Sequence, residues 1–568
     1  MPEEGASRPQ ASAPPWLGVY PKGLDWNMAI EQRAVFALLD EAALRYPDHC
    51  ALDFLGKRSS YRSLAGLVAR AACGFRKLGV QKGVRVGLFL PNCPYYVIAF
   101  FAILKAGGTV VNFNPLYAER ELLHQIEDSE TEILVTLDLD RLQRKIARLV
   151  GRCRLRRIIV CSMVAALPCP KNLGFRLFKW RELARIAPDG LYMPFDTLIA
   201  NDGGCEVAAV DPGVDLAALQ YTGGTTGTPK GVRLSHANLY ANALQISRWF
   251  TGAEQGRERI LAVLPLFHAF GMTAIMNLAL ALGGALIMLP RFDPRELLRT
   301  IERTRATLLL GVPTIFRALA DFPAIGRYDI SSLKVCVSGG DSLPADLQER
   351  FEALTRCRLA EGYGLTECSP VVACNPFEGA GKRGSVGLPL PRTTVEIVSL
   401  ADGRSAVPAG VRGEICVAGP QVMAGYWNQP AATAEVLVDG RLHTGDVGYL
   451  DESGYVFIVD RLKDVIITGG FNVYPRNVEE AILLHPAVAD AAVVGIPDSY
   501  WGQVVKAYVV RRPGASVDAK AIVAFLKDKL SAMEIPKEIV FALSLPKSAI
   551  GKTLKRGLPA GAPVSEID

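Results

Sequence analysis

The sequence predicts an α/β protein with a large N-terminal domain of βα-layered sheets, a β-rich subdomain within it, and a small α+β C-terminal domain. Three observations lead there. Short apolar runs alternate with helical patterns up to about residue 385; turn-joined strand patterns fill about 385–459; alternation resumes after the charged run at 460–464. A chain of 568 residues is also too long for one core.

Residues 1–15 carry Glu3 and Glu4 and then Ala, Ser and Pro, which reads as a disordered tail and no secretory signal. Residues 16–459 form the predicted N-terminal domain. Within it 84–90 reads as a strand, 95–104 as a helix and 109–112 as a strand, a βαβ unit. Strand patterns recur at 132–136 and 158–161, and strand–helix pairs at 307–310 with 313–320 and at 333–337 with 344–354. Such alternation implies parallel sheets covered on both faces by helices. The strands of 385–459 are joined by turns such as Asp451-Glu452-Ser453-Gly454. Residues 460–464 read as a linker and 465–568 as the small domain.

Half the residues are hydrophobic, 21% are charged, and the net charge of +6 is spread along the chain. This composition suits a soluble globular protein that takes anionic small molecules, and it gives no support for nucleic acid. The twelve cysteines include no C-x-x-C pair, which predicts reduced thiols in a cytoplasmic protein. The six histidines show no paired ligand spacing, so zinc is not expected. The most apolar window, 95–111, is broken by Lys105 and Gly107-Gly108, short of the roughly 20 apolar residues of a membrane span.

Residues 221–231 read YTGGTTGTPKG. Glycine amides and threonine hydroxyls donate hydrogen bonds and Lys230 adds a positive charge, a composition for holding a polyanion rather than for a linker. Pro229 before the lysine excludes a Walker A loop. A strand is predicted at 214–221, and 231–234 leads into a helix capped by Ser235. Two other patterns fail: the G-x-G-x-x-G at 379–384 has neither strand before nor helix after it, and no G-x-S-x-G is present.

Three more segments carry chemistry. Glu361-Gly362-Tyr363-Gly364-Leu365-Thr366-Glu367 joins a ring able to stack on a base with a hydroxyl and a carboxylate, hard oxygens suited to Mg²⁺ on a phosphate. It is preceded by the loop Ser338-Gly339-Gly340-Asp341. His443-Thr444-Gly445-Asp446 offers a short acid for ribose hydroxyls. Pro546-Lys547-Ser548-Ala549-Ile550-Gly551-Lys552 places a lysine near the chain end.

Together YTGGTTGTPKG, GYGLTE, HTGD, DRLKD and PKSAIGK stand in the order and at about the spacing of the adenylate-forming enzymes, which the chain resembles over residues 25–556. Residues 425–430 (GYWNQP) and 469–475 (GGFNVYP) look most like bacterial medium- and long-chain fatty-acid CoA ligases. The resemblance implies an ATP- and Mg²⁺-dependent enzyme. A fatty acid attacks the α-phosphorus of ATP to give acyl-AMP and pyrophosphate, and the thiol of CoA then displaces AMP.

It further implies roles for particular residues. Thr222, Gly223, Gly224, Thr225, Thr226, Gly227 and Lys230 would hold the leaving pyrophosphate, Thr366 would touch the α-phosphate, and Glu367 would hold Mg²⁺. Gly339, Gly340, Asp341, Gly362 and Tyr363 would form the adenine slot, and Asp446 with Arg461 would bind ribose. Lys552 would bridge the substrate carboxylate and the α-phosphate. Lys463 is the implied hinge about which a mobile C-terminal domain turns, and Gly469 with Gly470 the face used in the CoA step. His268 matches a position beside the acyl site, with a plain core histidine as the competing reading; the apolar run 272–282 suits an acyl tunnel and core packing equally. Ser548 replaces a threonine common in the family, and the segment after Lys552 departs from the usual charged helix. Aryl-CoA ligases, fatty-acyl-AMP ligases and luciferase-like oxygenases are the rivals within the family, and a non-catalytic acyl or nucleotide sensor the rival outside it. Acyl chain length, oligomeric state and peripheral membrane contact are left open.

Overall fold

Strands and helices alternate from Cys50 to Cys374, and the strands sort into two sheets whose order the short βα crossovers dictate. The computed structural model describes residues 14–186, 190–222, 229–379, 381–469, 471–548, 553–555 and 558. One sheet runs Tyr192–Pro194, Arg157–Cys161, Ile133–Leu137, Arg85–Phe89, Thr109–Asn112, Leu216–Thr222, Lys230–Ser235. Every neighbouring pair in it is parallel except the last. The other has a parallel centre in the order Arg358–Gly364, Val335–Ser338, Leu308–Gly311, Arg259–Ala262, Ala285–Met288, Cys50–Phe54. The helix Pro94–Lys105 is apolar all round because it is buried all round, from Tyr96 to Lys105.

The region after 385 is an antiparallel sheet of Thr394–Val398, Gly413–Ala418, Arg441–Leu450 and Val456–Arg461. Its last strand continues through Arg461, two residues into the expected linker, because Arg461 pairs with Asp446 across the ladder. A short 3₁₀ turn, Leu462–Asp464, follows. The small domain then pairs the long hairpin Val488–Asp498 with Gly502–Arg511 and adds Glu538–Ala542 in parallel. The helices Pro475–Leu483 and Ala519–Leu526 bury Val478, Ile482, Ile522 and Leu526 against Val493, Val505 and Val509, a core of its own.

One sequence expectation changes, and two points the sequence left open are decided. The stretch that leads from the Gly/Thr-rich loop into the predicted helix is itself a strand: Lys230–Ser235 runs antiparallel to Leu216–Thr222, with Thr222 opposite Lys230. Ser235 then caps the helix His236–Trp249, its hydroxyl accepting from Asn238 N. The run 272–282 packs as core: Phe270–Asn277 is a π-helix continued by Leu278–Ala281, and Met272, Ile275, Met276 and Leu278 are wholly buried. Reduced thiols throughout is also corrected, since Cys73 and Cys205 are bonded across 132 residues of sequence. The helix Tyr61–Lys77 and the segment after Asn201 are brought together only by the fold, so no spacing could announce the pair.

Candidate nucleotide and acyl site

Parallel strands end side by side, and their carboxyl ends are where open α/β sheets gather ligands. Ser338 pairs with Glu361, so the loop Gly339-Gly340-Asp341 leaves the sheet beside Gly362 and Tyr363, which stay in their strand opposite Cys374 and Ala373. Gly340 takes φ +80°. A Cβ on Gly339 would stand 3.2 Å from both the Gly362 carbonyl oxygen and the Phe270 ring, a tight fit that glycine avoids where the three segments meet.

Tyr363 is buried and its hydroxyl donates to Asp446 Oδ2 at 2.6 Å. Asp446 Oδ1 lies 3.4 Å from Arg461 Nε. Burial, and then the Asp446 carboxylate, hold the Tyr363 hydroxyl well above its ordinary pKa, so it stays a donor. Thr444 supports the turn, donating to Ile415 O at 2.7 Å and accepting from Asp446 N at 3.1 Å. Beside it the fold gathers Glu414, Cys416 and His443 within 4.8 Å, a set the histidine spacings did not foretell. His443 Nδ1 meets Glu414 Oε2 at 2.8 Å, and Glu414 Oε1 accepts from Gly445 N at 2.9 Å, which braces the turn that presents Asp446.

Glu367 sits in the 3₁₀ turn Thr366–Cys368. Tyr426, a residue that sequence reasoning quoted but did not assign, donates its hydroxyl to Glu367 Oε1 at 2.9 Å. Its ring lies 4.8 Å from Lys230 Nζ. Backbone pairing explains the placement: Arg233 N donates to Gly425 O at 3.0 Å and Trp427 N to Gly231 O at 2.7 Å, so GYW lies along the strand after the loop. Trp427 Nε1 also donates to Asp128 O at 2.9 Å. The signal for Tyr426 was its aromatic ring in a Gly-flanked turn; the register that brings it to Lys230 is tertiary. Burial, the largest cause, raises the Glu367 carboxyl, while the Tyr426 hydroxyl and the Arg461 charge oppose it.

His268 lies after Pro265-Leu266-Phe267, with Nδ1 accepting from Phe270 N at 3.3 Å. Burial pushes its imidazole down to about 4, so at neutral pH it is an uncharged ring. Pro265 and Phe267 line a cavity of about 1220 Å³ whose walls include Phe54, Leu137, Val263 and Ile315. Ser548 lines it too, bringing the C-terminal segment to the same place. Lys547 Nζ meets Asp490 Oδ2 at 2.6 Å and Lys555 Nζ meets Glu479 Oε1 at 2.7 Å, anchoring both sides of 549–552 on the small domain. Arg317 Nη1 donates to Ala489 O at 3.0 Å and Arg476 Nη1 to Ile458 O at 2.9 Å, holding the small domain against the large one.

The fold therefore brings together Thr222, Lys230, Gly339, Gly340, Asp341, Gly362, Tyr363, Thr366, Glu367, Asp446 and Arg461 from five separate stretches. Gly223, Gly224, Thr225, Thr226, Gly227, Gly470 and Lys552 lie outside the described residues. Lys463 is in the 3₁₀ turn between the domains. Gly469 is exposed at φ +55°, and a Cβ there would meet the Trp501 ring at 2.7 Å.

The donor set fits magnesium: Glu367 and the Thr366 hydroxyl are hard oxygens, and the neighbouring Cys368 thiol is held neutral by burial.

The chain matches the AMP-binding enzyme family over residues 39–427 and the AMP-binding enzyme C-terminal domain over 477–552. It is 41% identical to a long-chain-fatty-acid–CoA ligase of Bacillus subtilis (strain 168), covering 96% of this chain and 98% of that one. It is 37% identical to a feruloyl-CoA synthase of Amycolatopsis sp over 90% of this chain and 95% of that one. Among solved structures, ATP-bound MatB from Rhodopseudomonas palustris superposes with a TM-score of 0.81 at 30% identity, over 92% of this chain and 98% of that one. With family matches over both its domains and a near full-length relative at 41% identity, the chain belongs to the AMP-binding enzyme family.

Proposed function

We propose that this enzyme activates a long-chain fatty acid with ATP and passes the acyl group to CoA. The observation that carries the reading is one juxtaposition. The polar cluster of Lys230, Glu367, Tyr363, Asp446 and Arg461 and the apolar cavity are joined through the segment that holds Pro265, Phe267, His268 and Phe270. At about 1220 Å³, with walls that include Phe54, Leu137, Val263 and Ile315, the cavity has room for an extended alkyl chain.

In the first step a carboxylate oxygen bonds to the α-phosphorus and the bond to the β-phosphate bridging oxygen breaks, releasing pyrophosphate. Two anions must meet, so the step needs positive charge already in place where negative charge develops. Lys230, with Thr222 and the threonines of 223–228, holds the leaving pyrophosphate; Lys552 approaches the reacting carboxylate and α-phosphate from the small domain. Tyr363 and the glycines at 339, 340 and 362 hold adenine, Asp341 closes that slot, and Asp446 with Arg461 takes the ribose. Thr366 touches the α-phosphate, and Glu367 would hold magnesium, which would screen the phosphate charge when bound. The neutral His268 adds no charge beside the substrate carboxylate. In the second step the sulfur of CoA bonds to the acyl carbon, the acyl–phosphate bond breaks, AMP leaves, and the thiol proton is lost to solvent. The small domain turns about Lys463 between the steps and presents Gly469 and Gly470 in the second. The reading places the enzyme in the cytoplasm, where ATP and CoA are supplied.

One observation favours a second substrate class: the feruloyl-CoA synthase shares 37% identity with this chain, as several fatty-acid relatives do, over 90% of it against their 96%. Pyrophosphate release measured over C2 to C18 fatty acids and a few aryl acids separates the two. Highest kcat/KM with the longer fatty acids is expected, and predominant release with aryl acids overturns the assignment.

A further inference from the structure

The antiparallel sheet of the β-rich region carries a cluster that the two-step chemistry leaves unused. Glu414 and Cys416 stand two apart on the strand Gly413–Ala418 and so project from one face. Cys416 lies opposite His443 of the strand Arg441–Leu450, and the register then shifts, so that Glu414 comes to lie opposite Val447 and Thr444-Gly445-Asp446 bulge between the two pairs. Such bulges re-aim side chains next to sites. Here Glu414 Oε2 meets His443 Nδ1 at 2.8 Å, and one ligand atom from each of Glu414, Cys416 and His443 lies within 4.8 Å of the others. Cys416, 1% exposed, forms the floor, while the His443 and Glu414 side chains keep 16% and 12% of their surface and leave a way in. The neighbouring cation Arg441 is paired with Glu396, which lies opposite Cys416 on its other side. Burial, and then the Glu414 and Glu396 carboxylates, push the Cys416 thiol up to about 12, so a bound cation would draw off its proton.

We propose that Glu414, Cys416 and His443 bind a zinc ion, with water in the fourth position, and that the ion acts on the turn that presents Asp446. A carboxylate, a thiolate and a neutral imidazole carry two negative charges between them, which a divalent cation neutralises. Sulfur and nitrogen ligands select zinc over magnesium, which takes oxygen, so this site and Glu367 hold different metals. The consequence follows from the hydrogen bonds already present. Glu414 Oε1 accepts from Gly445 N at 2.9 Å, and Gly445, at φ +69°, leads directly into Asp446, whose Oδ2 accepts from the Tyr363 hydroxyl at 2.6 Å. A carboxylate that gives its charge to a metal holds the Gly445 amide less strongly, so zinc loosens the seat of Asp446. That the ion then weakens ATP rests on the ribose role proposed for Asp446; the metal site itself does not.

Titration of the full chain with Zn²⁺ against a chromogenic chelator, in excess Mg²⁺ and without ATP, CoA or fatty acid, tests the site apart from the chemistry. The chain should take up zinc stoichiometrically, and Co²⁺ in its place should give a thiolate-to-cobalt charge-transfer band. Changes to groups that merely support a metal ligand cost about 10–100-fold in affinity, so loss of a ligand in Cys416→Ser or Glu414→Gln should cost at least about a hundredfold. Cys416→Ser should also lose the cobalt band, whereas Cys169→Ser, at an exposed free thiol, should change neither readout. Zinc-free Cys416→Ser should turn over fatty acid like wild type, which certifies its fold, and Glu414→Gln keeps an acceptor for Gly445 N should the serine variant fail to fold. At a buffered, saturating level of free zinc the KM for ATP should rise at least about fivefold in the wild type, within the usual range of coupling between sites, and stay put in Cys416→Ser. Zinc that does not bind, or binds equally well to Cys416→Ser and Glu414→Gln, overturns the proposal. So does zinc that binds at the cluster and leaves the KM for ATP unmoved. Absence of fatty-acid turnover by the wild type would count against the substrate reading while the zinc titration stands.

Discussion

The Tyr426 hydroxyl donates to Glu367 Oε1 at 2.9 Å while the Tyr426 ring lies 4.8 Å from Lys230 Nζ. One side chain thus holds both the carboxylate assigned to the metal and the lysine assigned to the leaving pyrophosphate. Hydrogen bonds to charged groups contribute about 1.5–3 kcal/mol, and a cation over an aromatic ring about 0.5–2 kcal/mol. Both contacts act on position rather than on the reaction itself.

Tyr426→Phe should therefore lower the rate of pyrophosphate release about 10- to 100-fold while KM for the fatty acid stays near wild type. Tyr426→Ala, which also removes the ring from Lys230, should lose more and raise KM for ATP. Stopped-flow measurement of pyrophosphate release checks both. Equal losses in the two variants would show that the ring does nothing for Lys230.

Glu367→Gln should abolish most adenylation, since a misplaced metal costs several kcal/mol of transition-state stabilisation. The fold should survive, because Gln keeps an acceptor for the Tyr426 hydroxyl. Titration of activity with Mg²⁺ is the measurement. Near-normal turnover at ordinary Mg²⁺ would remove Glu367 from the site.

Glu361 gives a pH prediction. Its carboxylate accepts from Leu343 N at 3.1 Å, and burial pushes its pKa up to about 7 from 4.5. A carboxyl raised on folding is proton-bound more tightly by the native state, so its stability contribution is full below pH 4.5 and is lost as pH rises to 7. At 1.36 kcal/mol per pKa unit the loss reaches ~3 kcal/mol. Glu361→Gln keeps an acceptor for Leu343 N and removes the titration. Its Tm should exceed wild type at pH 8 and match it at pH 4; the same difference at both pH values would exclude Glu361 as the cause.

The two-domain cycle predicts a split between half-reactions. Lys552→Ala should cripple acyl-AMP formation yet still convert supplied acyl-AMP to acyl-CoA. Lys463→Pro, which fixes φ near −65°, should impair the second half-reaction more than the first. The structure joins the domains through a single 3₁₀ turn, where one residue can absorb a large φ/ψ change. Single-turnover kinetics of each half-reaction is the check, and parallel losses in both steps would defeat the rotation.

The sequence by itself determined most of the elements and the family to which the motifs belong. Period-2 and period-3.6 patterns located strands such as Thr109–Asn112 and helices such as Pro313–Ala320, because a side chain's face follows from its position along an element. The motifs singled out candidate residues because their donors suit phosphate, ribose and magnesium, and the roles proposed for them follow from the resemblance that the motifs carry. Tertiary structure decided the rest. Whether 272–282 lined a tunnel or filled the core could not be read locally, since both uses call for apolar side chains; packing beneath the Arg259–Ala262 strand made it core. The Cys73–Cys205 bond, the Glu414–Cys416–His443 cluster and the seat of Tyr426 between Glu367 and Lys230 each join residues tens or hundreds of positions apart. Such contacts are set by sheet register and domain packing, and no local periodicity encodes them.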